Sequence, residues 1–165
     1  RGIAPGLMIS MAEIEIDLET GKYEILDYVG VADCGTIIHP QGLSQQINGG
    51  GVWGFGMAAT ERHVYDPQIA LPASVGMYQA KLPTILDVPS EMPNGAVDIA
   101  DPYNPVGGRG VGEPSQGSAV AAITSAISDA LNGHLFNRVP VTPDMIVNHA
   151  TGAEQESKLL ALNTF

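Results

Sequence analysis

Apolar and charged residues alternate at the end of the first segment of the chain. From Leu7 to Leu18 the pattern places Ile14, Ile16 and Leu18 on one face and Glu13, Glu15 and Asp17 on the other, the period of a half-buried strand. Glu19-Thr20-Gly21-Lys22 follows as a turn with a late glycine. Tyr23 to Ala32 reads as the returning strand of a hairpin, with Tyr23, Ile25, Val29 and Val31 sharing a face. After His39-Pro40 the pattern changes. Leu43 to Glu61 is apolar and small, and Gly49, Gly50, Gly51, Gly54 and Gly56 would each destabilise an isolated helix by roughly 1 kcal/mol. A helix there must pack closely against a neighbour, with the glycines permitting contact. Pro67 to Asn94 predicts loops and short strands, and Val97 to Ile99 one more short strand. A period near 3.6 returns from Ser115 to Leu131, where Ala119, Ala122, Ile123, Ala126, Ile127 and Ala130 form a stripe. Gly133 is expected at C′ of that helix. Val139-Pro140-Val141 reads as extended, and Thr142-Pro143-Asp144 as an N-cap and N1 proline opening a short helix to about His149.

These elements predict the α+β class: an N-terminal hairpin or sheet with the glycine-rich and C-terminal helices packed on it. Residues 1–150 form the expected domain, and 151–165 a tail that is polar and then weakly amphipathic. A chain of 165 residues is one domain's length. Charged residues make up only 15%, against about a quarter in ordinary domains, and 20 residues are glycine. Part of the surface is therefore expected to be covered by something else. The net charge of −11 argues against polyanion partners, and no basic stripe suits a nucleic acid.

The single cysteine, Cys34, excludes an intrachain disulfide and reads as a small buried hydrophobe, a redox or metal role being the alternative. His39, His63, His134 and His149 show no ligand spacing, so no metal site is assigned to this chain's side chains. No apolar stretch reaches about 20 residues. The start, Arg1-Gly2-Ile3-Ala4-Pro5, lacks a signal-peptide core. A cytoplasmic location without a membrane span is the resulting expectation. A processed subunit and a fragment of a longer polypeptide both remain open.

The chemistry concentrates in Gly107-Gly108-Arg109-Gly110-Val111-Gly112-Glu113-Pro114. Glycines let a backbone approach a ligand closely, and Pro114 suits the first helical position. Glu113 is thereby set at a helix N-terminus facing the loop, either as a charge that merely favours the helix start or as a general base. The helix end lowers its pKa and an apolar site would raise it, and both directions stay open. Arg109 reads as an anion-binding group or as a solvated surface charge. Neither a phosphate-loop GxxxxGK[ST] run nor a strand-led GxGxxG is present, which argues against nucleoside triphosphates.

Upstream lie Val31-Ala-Asp-Cys-Gly-Thr-Ile-Ile-His-Pro40, Gln45-Gln-Ile-Asn-Gly-Gly-Gly-Val-Trp-Gly-Phe-Gly56 and Leu82-Pro-Thr-Ile-Leu-Asp-Val-Pro89. In this order, and closed by Gly110-Val-Gly-Glu-Pro114, they resemble the C-terminal end of the molybdenum-binding subunit of the xanthine oxidase (molybdenum hydroxylase) family, from about Ala12 to about Val147. The resemblance implies an oxidoreductase. Glu113 matches the glutamate that acts as base toward a molybdenum-bound hydroxide or water, for attack on an aldehyde, an N-heterocycle or a similar electron-poor carbon. Gln46 matches a glutamine lying against the molybdopterin cofactor, an amide able to donate to and accept from a pterin edge. A buried glutamine satisfying backbone is the plainer reading. Gly49, Gly50, Gly51 and Gly112 would offer backbone amides toward the cofactor. Trp53 departs from the family pattern, which often has a second glutamine there.

The family's upstream pocket segments, its iron–sulfur cysteine motifs and a flavin domain are absent from these residues. The resemblance therefore implies a small subunit or cleaved piece that completes a molybdopterin-binding domain on a larger molybdenum-binding chain, with 2Fe-2S clusters and FAD on partner chains. The glycine-rich helix is the expected interface with that larger chain. Two rivals stand beside this reading: a noncatalytic assembly subunit with a structural Glu113, and a free-standing phosphate-binding α+β domain.

Overall fold

A computed structural model describes residues 6–153 of the chain. The start, 1–5, and the predicted tail from 154 onward lie outside the described residues. Strand β1 (Leu7–Ile16) and strand β2 (Tyr23–Asp33) form the expected antiparallel hairpin, and β3 (Asn94–Val97) runs parallel to β2. The sheet order is β1-β2-β3. The turn closes as predicted: Gly21 N–H donates to Asp17 O at 2.7 Å and Asp17 N–H to Lys22 O at 2.8 Å.

Two strand expectations change. β3 starts at Asn94 rather than Val97, because pairing with Gly30–Asp33 selects it and not its own apolar residues. In β2 the four residues assigned to one face divide between two. Glu13 pairs with Asp27 but Ile14 pairs with Ile25, which leaves Leu26 as the extra residue of a β-bulge. Past the bulge the alternation reverses. Tyr23 and Ile25 pack on the core, as do Tyr28 and, beyond it, Gly30 and Ala32, while Val29 and Val31 turn to the opposite face.

Helix α1 (Pro40–Ala59) starts earlier than predicted because His39 caps it: Gly42 N–H donates to His39 Nδ1 at 2.7 Å. Helix α3 (Pro114–Ala130) lies against it. A Cβ at Gly50 would run into the Ser115 side chain, and one at Gly54 into Ala119. The glycines thus let two backbones come close, as the sequence required. The neighbour, however, is a helix of the same chain, which corrects the expectation that the glycine-rich face lies on a partner. Within 67–93 lie a one-turn helix α2 (Met77–Ala80) and a 3-10 turn at Ile85–Asp87, and the first strand after β2 is β3, which starts at Asn94. At the end of α3, Asn132 occupies the left-handed C′ position (φ 56°) and Gly133 follows it, donating to Ser128 O at 2.8 Å. The C′ residue is therefore one position earlier than expected. Helix α4 (Pro143–Thr151) begins after Thr142 as predicted, although the Thr142 side chain makes no capping bond.

The core lies between the sheet's inner face and these helices. Tyr28, Phe55, Ala58, Ala119, Ile123, Ile127, Val141 and Ile146 are fully buried, and Tyr28 meets Phe55 edge to face at 5.0 Å. Tyr28 Oη bonds Ser10 Oγ at 2.8 Å, and Ser10 Oγ bonds Ser118 Oγ at 2.8 Å. This short polar chain ties both strands to α3. The outer face of the sheet carries Leu7, Ile9, Met11, Val31 and Val97 exposed, Ile9 to 70%. Among the described residues no helix is long and apolar enough to cross a membrane.

Candidate active site

The glycine-rich loop is first held by backbone. Gly107-Gly108-Arg109 lies antiparallel to Cys34-Gly35-Thr36, with Arg109 N–H donating to Cys34 O at 2.6 Å and Thr36 N–H to Gly107 O at 2.8 Å. Gly35 has φ +73° and stands against Gly107 O so closely that no side chain fits. The preceding turn is closed by Asp101 N–H to Gly107 O and by Asn104 Nδ2 to Gly108 O, both 2.8 Å.

Arg109 is paired within the chain and is not a solvated surface charge. Its Nε donates to Asp101 Oδ2 at 3.0 Å and its Nη1 to Asp33 Oδ2 at 3.1 Å, with the arginine side chain 18% exposed and Asp101 6%. Tyr103 N–H, donating to Asp101 Oδ1, and then Arg109 hold the Asp101 carboxyl below its usual range. Asp101 in turn holds the guanidinium proton more firmly. Asp33 and Asp101 were missed from the sequence. An aspartate before a glycine turn has no signal that pairs it with an arginine 76 positions away.

Past this pair come Gly110, Val111 and Gly112, then Glu113. Glu113 is exposed and occupies the N-cap position of α3 without a side-chain capping bond. As a helix cap it contributes only charge. Ser115, two residues on, is fully buried and donates to the backbone O of Gln46 at 3.2 Å. Gln46 is exposed rather than buried, and its side-chain amide makes no hydrogen bond among the described residues. A Cβ on Gly112 would lie 3.8 Å from Gln46 Oε1. The fold thus sets Gly112 beside the Gln46 amide, with Glu113 next in the chain, and the Gln46 and Glu113 side chains make no hydrogen bonds among the described residues.

The other three predicted glycines divide. All lie inside α1, where helix hydrogen bonds occupy the amide hydrogens, so the expectation that they offer backbone amides is corrected. Gly50 faces Ser115, and Gly51 packs on Tyr28 and Met92. Only Gly49 is exposed, with open space where a side chain would be. A cavity of about 450 Å³ runs beside this cluster, lined by Cys34, His39, Gln46, Asn104, Arg109 and Val111 among others. Cys34 is buried, and burial pushes its thiol up, which suits a packed residue and not a nucleophile. Trp53 is half-exposed and lines a separate cavity with Met57, Glu61 and Gln116. One oxygen of Glu61 is buried without a hydrogen-bond partner among the described residues.

Residues 5–89 match the molybdopterin cofactor-binding domain family. The chain is 32% identical over 151 residues to the 6-hydroxypseudooxynicotine dehydrogenase complex subunit gamma of Paenarthrobacter nicotinovorans, covering 91% of this chain and 19% of that one. It is 28% identical to the xanthine dehydrogenase molybdenum-binding subunit of Escherichia coli O157:H7, covering 84% of this chain and 18% of that protein. The solved quinoline 2-oxidoreductase of Pseudomonas putida 86 superposes on 86% of this chain with a TM-score of 0.78 and 31% identity, over 18% of its own length. The chain spans less than a fifth of each of these proteins. The matched span includes more than half the chain, and the sheet-and-helix arrangement is shared with a solved relative. The chain belongs to the molybdopterin cofactor-binding domain family.

Proposed function

We propose that this chain forms one side of a molybdopterin-cofactor site in a molybdenum hydroxylase-type oxidoreductase, and that Glu113 is its catalytic base. The observation that carries the reading is that the unbonded Gln46 amide stands beside Gly112, the residue directly before Glu113, whose carboxylate makes no capping bond. These residues fit the cofactor. The Gln46 amide supplies a donor and an acceptor for a pterin edge, Gly112 leaves room for close approach, and Gly49 keeps the adjoining surface of α1 open. The bound cofactor supplies the two-electron redox chemistry. Glu113 takes the proton of the oxygen nucleophile that attacks an electron-poor carbon, a task that needs a carboxylate free of other partners. The named relatives act on 6-hydroxypseudooxynicotine, xanthine and quinoline, which supports an N-heterocycle or similar carbon as substrate.

A larger molybdenum-binding chain completes the site in this reading. The outer sheet face supports it, since Leu7, Ile9 and Met11 are each more than 60% exposed in a row that nothing in the described residues covers. Iron–sulfur and flavin chains then carry electrons away. The test is metal and subunit analysis of the complex purified natively by a tag on this chain. Molybdenum near one per copy with larger chains co-eluting is expected, and a metal-free, partner-free chain refutes the reading. In that complex Glu113→Gln is expected to abolish turnover with molybdenum retained, whereas retained turnover assigns Glu113 a structural role.

A further inference from the structure

Glu113 hangs on a short strap between two anchors of different kind. Downstream, Ser115 is buried and bonded to the Gln46 backbone at the start of α3. Upstream, Arg109 is fixed by its own N–H to Cys34 O and by its guanidinium to Asp33 and Asp101. Between them Gly110, Val111 and Gly112 make no backbone hydrogen bonds among the described residues. Two of these three are glycines, and a Cβ at either would meet little: nothing near Gly110 and only the distant Gln46 oxygen near Gly112. Such a strap has no stiffness of its own. Its path is set by where its ends are held and by Gly6, just before β1, which lies so close that a Cβ there would be 2.6 Å from Gly110 O.

The geometry points to Arg109 as the residue that positions the Glu113 carboxylate, acting through the strap and not through contact with substrate or cofactor. The two carboxylates it joins belong to different elements, the end of β2 and the turn at 101–107. A planar fork can serve both at once through separate nitrogens, whereas a lysine, a point charge, serves one well. Deleting the guanidinium leaves Asp33 and Asp101 facing one another without a counter-charge. The upstream anchor then keeps only its backbone bonds, Arg109 N–H to Cys34 O and Thr36 N–H to Gly107 O, and loses the side-chain tie between β2 and the 101–107 turn, so the base shifts relative to the reacting carbon. A misplacement of about 1 Å can cost on the order of 10²-fold in rate.

This inference rests on the reading of Glu113 as base, and its test separates the two. Arg109→Met, Arg109→Lys, Asp101→Asn and Glu113→Gln are made in the natively assembled complex. Four quantities are measured: molybdenum per complex, kcat per bound molybdenum, KM, and amide hydrogen exchange at Arg109 and Thr36, whose N–H groups hold the upstream anchor. Arg109→Met is expected to lower kcat about 10²-fold with KM changed less than about threefold, and to speed exchange at the hydrogen-bonded Arg109 and Thr36 amides. Arg109→Lys is expected to recover kcat to within about tenfold of the parent. Unchanged kcat and exchange in Arg109→Met overturn the proposal, as does an equal loss in Lys and Met that only tracks lost molybdenum. If Arg109→Met does not assemble, Asp101→Asn decides, since it keeps the Asp33 arm; unchanged kcat and exchange there overturn the proposal. Full turnover in Glu113→Gln sinks the catalytic reading alone, and the exchange result still decides whether Arg109 holds the strap.

Discussion

The contact between α1 and α3 has a closed part and an open part, built from the same two helices. In the closed part Gly50 meets Ser115, Gly54 meets Ala119, and Phe55 and Ile123 are sealed beneath. At the open part, where α3 begins beside α1, Gln46, Gly49, Gly112 and Glu113 are exposed, and the Gln46 and Glu113 side chains carry no bonds of their own. The comparison teaches that glycine does opposite work a few residues apart. Inside, its missing side chain is filled by the neighbouring helix and fixes the spacing. At the mouth it is filled by nothing, and the fixed spacing below holds the free groups at a set separation.

The largest expected effect breaks the open part alone. Glu113→Gln should lower kcat/KM by about 10²–10⁴-fold, with a thermal midpoint within a few degrees of the parent, because the side chain makes no capping bond among the described residues and gives the helix start only its charge. Gly54→Val breaks the closed part and should cost about 1–3 kcal/mol by overpacking against Ala119, read by denaturant unfolding. Its counterpart at the mouth, Gly49→Ala, meets no atoms and should stabilise by roughly 0.5–1 kcal/mol. A Gly49→Ala protein that is more stable yet holds less molybdenum would sharpen the contrast, and equal damage at both glycines would end it. His39→Ala removes the α1 cap and should cost about 1 kcal/mol in the same measurement.

The smallest effect is one of pH. Burial raises the Glu61 carboxyl, so the folded chain holds that proton more firmly than the unfolded chain. The contribution to stability is complete below the ordinary glutamate pKa and is lost as pH rises through the raised folded value. Glu61→Gln should therefore be slightly more stable than the parent at neutral pH, with the difference closing in acid. Asp101, held low, works the other way in both proteins: its contribution is present above the ordinary aspartate pKa and lost as pH falls through the folded one. It cancels in the difference between them.

What could be read in advance followed the range over which each signal acts. The stripe of α3 and the Pro114 start are local, and the helix runs Pro114–Ala130 where Ser115 to Leu131 was expected. The demand for close packing in α1 was equally local, but the identity of the neighbour was not, because Gly50 specifies closeness and not a partner. The Leu26 bulge has no compositional mark, and it alone moved Val29 and Val31 off the expected face. At the site, Glu113 was legible as a carboxylate at a helix start. A cofactor role for Gln46 came only from the family resemblance, and the Arg109 pair with Asp33 and Asp101 depends on the tertiary fold, which no spacing encodes.

The bonds that close the mouth join residues 69 and 76 positions apart, Ser115 to Gln46 and Arg109 to Asp33. A newly made chain can form the β1–β2 hairpin early, but Glu113 has no fixed place until those long loops close, at an entropic cost that grows with their length. A ligand that grips both Gln46 and Gly112 fastens the same long loop. By mass action it would add about 2.7 kcal/mol to folding at a hundredfold excess over its Kd. With such a ligand, loading and maturation would be one equilibrium, and the ligand-free chain would be the form that opens first at this seam and that a protease selects.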